Sequence, residues 1–316
     1  LGHRPCAAGG VPYGHAMDIG PDNVPKVVAE IGCNHKGDFE LAKELVRTAA
    51  EFCRADAVKF QKRNPKESLT PEQYSAPHPD PSHSYGRTYG EHREYLELSI
   101  DRHAELKALC ESLSIDYSCS AWDMTSAQQL TELGPKWIKI PSACNTDTAM
   151  LSWLCEHYPG SIHVSLGMTT ALEERALLEL LGAHGRLRDT VLYACTSGYP
   201  VAVDDLCLRE ITRLCDEYGP DVEAIGFSGH HLGIAADVAA ITLGAKWIER
   251  HFTLDRTWKG TDHAASLEPD GLRRLGRDLR NVARALTRRS EEILEVERAA
   301  RGKLKQSSRP RLVRAA

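Results

Sequence analysis

From Val27 onward, short apolar runs alternate with amphipathic stretches of helical length. The runs are Val27–Ile31, Ala57–Phe60, Asp116–Cys119, Trp137–Ile140, Ile162–Val164, Val191–Ala194, Ala224–Phe227 and Lys246–Ile248, eight candidate strands. Between them, Phe39–Phe52, Arg102–Leu113, Thr125–Leu133, Ala171–His184, Val203–Tyr218 and Ile234–Gly244 have the length and spacing of helices, and Pro269–Thr287 follows the last strand. Strand–helix alternation implies a parallel sheet, because each crossover helix returns the chain to the same edge. Eight repeats favour closure of this α/β chain into a (β/α)8 TIM barrel. The 262 residues from Val27 to Arg288 match the roughly 250 usual for that fold. An open doubly wound sheet is the rival; a Gly-rich phosphate turn should follow its first strand, and EIGCNHKG is not one. The domain plan is then an N-terminal arm (1–24), a single barrel domain (25–288) and a tail (289–316). From Arg298 the tail has seven Lys or Arg and no acid, so a solvated, partly disordered end is expected.

A barrel of this kind carries its function at the C-terminal ends of its strands. Those ends are polar throughout: Glu30, Asn34 and His35; Lys59 and Gln61; Ser118 and Ser120; Lys139 and Ser142; Ser165; Thr196, Ser197 and Tyr199; Ser228, His230 and His231; Glu249 and His251. His230 and His251 lie 21 positions apart, on strands joined by one crossover helix, so both reach the same edge. Two neutral imidazoles there form a candidate divalent-metal pair, with Asp262 close behind as an acid. A histidine at a strand end can equally be a hydrogen-bonded polar residue, and a lysine can snorkel to the barrel mouth. Two lysines, a ring of hydroxyls and a histidine pair instead point to a phosphorylated anion held near a metal. Ser165–Met168 then enters a helix whose backbone N–H groups are candidates for holding phosphate.

Composition narrows the partners. The chain of 316 residues is 42% hydrophobic and 26% charged, which describes a globular protein with ample core. A formal net charge of −5 argues against a nucleic-acid partner. No apolar run approaches the roughly 20 residues that span a membrane. The first residues hold no apolar stretch of the secretory kind. The ten cysteines are scattered, without a C-x-x-C pair, as expected of reduced thiols in a cytoplasmic protein.

VAEIGCNHKG (28–37), VKFQ (58–61), IKIPS (138–142), SLGM (165–168), CTSGYP (195–200), GFSGHHLG (226–233) and IERHFTLDRTWKGTDHAAS (248–266) resemble the sialic acid synthases in sequence and in order. The resemblance covers nearly all of the span from Val27 to Arg288. It implies a transferase that condenses phosphoenolpyruvate (PEP) with a sugar aldehyde to give a 2-keto-3-deoxy sugar acid and phosphate. It also implies a divalent ion, Mn2+ or Mg2+, on His230 and His251, and a homodimer. Carried over by position, Lys59, Lys139, Ser142, Ser165 and Ser228 match residues around PEP. Ser120 stands where the family often has Thr, and Ser197 joins this group from the end of strand six. Glu30 and Asp262 match acids at the reaction centre, and Asn34, Gln61 and Tyr199 fall near the sugar.

The departures concern the acceptor. Ser228–Gly229–His230 stands where many members read S-D-H, Ala143–Cys144–Asn145 lacks an acid common there, and Tyr193–Ala194–Cys195 lacks a His. Only 28 residues follow Arg288, too few for the family's antifreeze-like domain, which lends an arginine to a partner's barrel mouth. The segment 64–97, rich in Pro, Ser, Tyr and His, is a long loop after strand two, expected to act as a lid or sugar-recognition element. Arg87, Tyr89, His92 and Arg93 are its candidate contacts. Two other readings remain open: a metal-dependent aldolase or isomerase that never uses PEP, and a non-catalytic sugar-phosphate binder.

Overall fold

The computed structural model describes residues 24–305, so nearly all of the expected arm and the end of the tail lie outside it. Eight parallel strands close into a barrel in sequence order: β1 Lys26–Gly32, β2 Ala57–Lys62, β3 Asp116–Ala121, β4 Trp137–Ile140, β5 Ser161–Ser165, β6 Thr190–Cys195, β7 Ala224–Gly229 and β8 Trp247–His251. Every strand of the sequence reading is present. The helices that wrap them are α1 Phe39–Arg47, α5 Ile100–Ser112, α6 Met124–Leu133, α7 Thr148–His157, α8 Ala171–Ala183, α9 Arg209–Tyr218, α10 Ala235–Thr242 and α11 Pro269–Ala285. Three more, α2 Pro65–Ser68, α3 Pro71–Ser75 and α4 Tyr89–Leu96, lie in the insert after β2.

Local chemistry explains the boundaries. Asp38 accepts from the backbone N–H groups of Glu40 and Leu41 and so starts α1. Gly134 ends α6 in the left-handed conformation. In α11, Leu272, Leu275, Leu279 and Ala283 share the buried face. The larger core lies between strands and helices, with Ile31, Phe60, Ile138, Val164, Leu192 and Ile248 facing outward into it. A second cluster, Val28, Ala57, Trp137, Val191, Tyr193, Ala224 and Trp247, fills the barrel interior. Side chains alternate along each strand, so residues two further on from this plug also point inward, nearer the mouth.

Two segments differ from the sequence reading. The insert is not a plain loop but three short helices, two of them capped, with an aromatic cluster. Thr70 and Gln73 close a capping box at α3, and Thr88 caps α4. His78 packs on His92 (4.4 Å), and Tyr85 stacks on Tyr95 (5.1 Å). The tail is also ordered as far as it is described. α12, Glu295–Leu304, carries a two-bond ion pair from Arg289 to Glu297. Arg298, the first of the basic run, pairs with Glu291 and Glu295 (2.9 and 2.8 Å). Among the described residues, no helix is long and apolar enough to cross a membrane, and all nine cysteines are free.

Candidate active site

Above the aromatic plug, β1, β2, β4 and β8 each turn a charged side chain into the barrel. Glu30 and Lys59 are register partners across β1 and β2, and their ion pair is 2.5 Å long. Lys59 also donates to Ser120 (2.8 Å) and faces Glu249 at 3.7 Å. Glu249 meets Lys139 at 3.2 Å and accepts from Ser228 at 3.2 Å. The Lys139 ammonium lies 3.2 Å over the Tyr193 ring. All four charged groups are buried. Burial raises the Glu30 pKa to about 7, against the pull of Lys59. Burial also lowers Lys139 to about 8, although Glu249 opposes it. For Glu249, burial works towards protonation, but the two ammonium groups win and hold its carboxylate below the ordinary range. An apolar filling would fold at least as well, because desolvating ion pairs costs several kcal/mol per ion before pairing returns it. Two lysines in a chain of alternating charge can instead be re-partnered by a multiply charged anion.

Beside the lysines lies a cradle of hydroxyls. Ser142 Oγ accepts from the Gly167 N–H (3.1 Å). A side chain at Gly167 would collide with Ser197 Oγ and Ser142 Oγ, so only glycine fits. Ser165 is buried, and its carbonyl accepts from Asn145 Nδ2 (2.9 Å), which anchors the turn. In the helix that follows, Thr170 and Glu173 close α8 with a capping box that engages the backbone N–H groups of both residues.

The histidines meet as the βαβ argument requires. The ring centroids of His230 and His251 are 5.4 Å apart. His230 Nδ1 donates to the Thr196 carbonyl (3.0 Å), which leaves Nε2 bare as a ligand nitrogen. His251 Nδ1 is buried without a hydrogen-bond partner and lies 3.8 Å from Asp262 Oδ2. Burial lowers the His251 pKa against the opposing pull of Asp262. For Asp262, burial favours the acid, but His251 and Arg93 hold its carboxylate below the usual range. Two imidazoles, one with an orphaned nitrogen, are donors that could hold a divalent ion. Among the described residues no three His, Cys, Asp or Glu side chains form a fuller cage, so the other ligands would be water or substrate oxygen.

The sugar candidates divide. Tyr199 packs on His230 (4.3 Å) and edge-on to His251 (5.7 Å), at the mouth. Gln61 Nε2 donates to Glu30 Oε1 (2.7 Å), so it holds the acid. Arg93 is half-buried, with Nε and Nη2 on the Tyr89 hydroxyl (3.0 and 2.6 Å) and no carboxylate within ion-pair distance among the described residues. Three candidates need correcting. Both amide hydrogens of Asn34 are engaged, by the Phe252 carbonyl and Ser266 Oγ (2.9 Å each), so it ties down the loop after β8. Arg87 is exposed and paired with Glu91 (3.4 Å). His92 is buried in the insert's aromatic cluster.

The profile of the NeuB family matches residues 45–291. The chain belongs to the NeuB family. Among its relatives, the N-acetylneuraminate-9-phosphate synthase of Mus musculus is 37% identical over 281 residues, 89% of this chain and 76% of that protein. The N,N'-diacetyllegionaminic acid synthase of Campylobacter jejuni is 34% identical, covering 82% and 77%. A crystal structure of the N-acetylneuraminic acid synthetase of Leptospira borgpetersenii superposes with a TM-score of 0.75 at 25% identity, covering 90% and 94%.

For this NeuB-family site, sequence reasoning named Glu249 at its strand end without giving it a role, and did not single out Arg63. Glu249 sits between both lysines, and the signal was present: it alternates with Trp247 and His251, so all three face inward. Arg63, just past β2, stacks its guanidinium on Trp122 (3.8 Å) and reaches Gln61 Oε1 and Cys33 Sγ. Nothing local in QKRN singles it out.

Proposed function

We propose that this NeuB-family chain joins PEP to a sugar aldehyde, giving a 2-keto-3-deoxy sugar acid and phosphate. The observation that carries this is the buried Glu30–Lys59–Glu249–Lys139 array directly below the histidine pair. Lys59 and Lys139 would bind the PEP carboxylate and phosphate, with Ser120, Ser142, Ser165, Ser197 and Ser228 donating around them. His230 and His251 would hold the divalent ion, which when bound polarises the aldehyde oxygen as a Lewis acid. PEP C3 attacks the aldehyde carbon, and positive charge builds at C2. Ionised Glu30, beside C2, stabilises that charge electrostatically. Water then adds at C2, Glu30 or Asp262 takes its proton, and the tetrahedral centre expels phosphate by C–O cleavage. Tyr199 and Asp262 bound the acceptor's side of the site, and Gln61 keeps Glu30 oriented.

The acceptor follows from relatives and charge together. A nine-carbon acid built from three PEP carbons takes its last six from the sugar, so a 9-phosphate product comes from a hexosamine 6-phosphate. The mouse relative's name describes such a product. Arg93, a half-buried cation with no carboxylate within ion-pair distance among the described residues, would receive that phosphate. The deciding assay follows keto acid and phosphate formation from PEP with metal, across hexosamines with and without a 6-phosphate. Turnover should be highest with an N-acetylhexosamine 6-phosphate. Efficient use of plain N-acetylmannosamine would overturn the acceptor assignment, and no PEP consumption with any aldose would overturn the condensation.

A further inference from the structure

We propose that the insert positions Asp262 through a clasp made by His83 and Tyr85, an inference that rests on the condensation reading. The loop after β8 runs out from Phe252 and returns at Leu267, where the two residues bridge. Asp262 lies on its returning limb, facing His251. On the barrel side that limb is fixed: Ser266 Oγ donates to the Asp262 carbonyl (2.7 Å) and accepts from Asn34. On the outer side the insert fixes it. The Gly260 N–H donates to His83 Nδ1 (3.1 Å), and the Tyr85 hydroxyl donates to the Lys259 carbonyl.

The clasp is built to hold. His83 Nε2 faces Asp80 Oδ2 (3.8 Å), which favours the tautomer with the proton on Nε2 and leaves Nδ1 free to accept. The Tyr85 ring is stacked on Tyr95 of α4, and the Lys259 ammonium lies 4.9 Å over it. Both bonds reach backbone atoms two or three residues before Asp262, so they set where its carboxylate stands against His251. A shift of about an ångström at a reacting group can reduce a rate roughly a hundredfold. The same insert carries Arg93, so acceptor capture and placement of the acid belong to one body. His83 and Tyr85 are thus positioning residues that need not touch either substrate.

The test compares His83→Ala, His83→Asn and Tyr85→Phe in the full chain, by hydrogen exchange at the Gly260 amide, melting temperature and steady-state kinetics. His83→Ala should lose protection at Gly260 and about tenfold or more in kcat, with KM for PEP and Tm unchanged. His83→Asn, whose Oδ1 can accept the same bond, should restore both, and Tyr85→Phe should lower kcat in the same direction. Wild-type kcat in His83→Ala would overturn the inference, as would a loss that follows Tm and is not rescued by Asn. If the wild-type chain consumes no PEP with any acceptor, the condensation reading fails instead. Exchange at Gly260 then still reports whether the clasp exists.

Discussion

At the scale of single residues, the strongest constraint is that neither buried lysine has a private partner. Glu249 is shared by Lys59 and Lys139, and Lys59 is shared by Glu30 and Glu249. If the lysines bind PEP as proposed, removing either takes away a charge-assisted partner, a contribution of roughly 1.5–3 kcal/mol. Lys59→Ala and Lys139→Ala should therefore weaken PEP binding by roughly ten- to a hundredfold and leave acceptor binding little changed. Calorimetric titration with each substrate separately decides it; undiminished PEP affinity in both variants would make the lysines structural. The histidines give a second residue-level prediction. His230→Ala or His251→Ala should lower bound Mn2+, read by atomic absorption after gel filtration, and abolish turnover while the circular dichroism spectrum stays native. Full activity in metal-stripped wild type would remove the ion from the reaction.

At the scale of elements, the insert after β2 separates the function of a segment from that of its residues. Arg93 faces the acid side of the mouth, whereas Arg87 on the same segment points to solvent. Arg93→Ala should raise KM for a hexosamine 6-phosphate by about tenfold or more without changing KM for PEP, and Arg87→Ala should change neither. Equal kinetics for the two variants would take the acceptor's phosphate away from Arg93. The same insert shows why sequence legibility stops where it does. All eight strands could be read because barrel strands are buried on both faces and appear as short apolar runs. Helices of four or five residues such as α2 and α3 are too short to show a period, and a capping box such as that of α3 is a local signal without one. Lys59, Lys139 and the histidine pair were legible as polar groups brought together at strand ends. Asn34 shows a related limit: a polar residue past a strand end looks the same in sequence whether or not its amide hydrogens also hold the Phe252 backbone and Ser266, as here.

At the scale of the whole molecule, five buried histidines make the fold sensitive to acid. His35, His92, His103, His163 and His263 are each almost wholly buried. In every case burial holds the ring below its ordinary pKa of 6.5, to about 4 for His35, His92 and His263 and about 3 for His103. Unfolding frees these rings to bind protons near pH 6.5, so below that pH the unfolded chain holds more protons and stability falls. Each ring contributes up to about 1.4 kcal/mol per pH unit, until the pH reaches its folded value. Glu30 works in the opposite direction. Its pKa near 7 means that the folded chain takes up a proton that the unfolded chain accepts only near 4.5, so this one group gains stability as the pH falls through that window. His251 adds to the loss and Glu97, raised by burial, to the gain, and six rings against two acids leave a net loss. With total stability on the order of 5–15 kcal/mol, most of the fold's margin should disappear between pH 6.5 and about 4.5. Tm should therefore be nearly constant above pH 7 and drop steeply below 6.5. The slope should be shallower by about one proton in His103→Gln, where the new amide can still meet the Tyr117 hydroxyl that lies 2.8 Å from His103 Nδ1. Calorimetric melts across this range test the claim, and a Tm that stays level down to pH 4.5 would show that these rings are protonated in the folded chain.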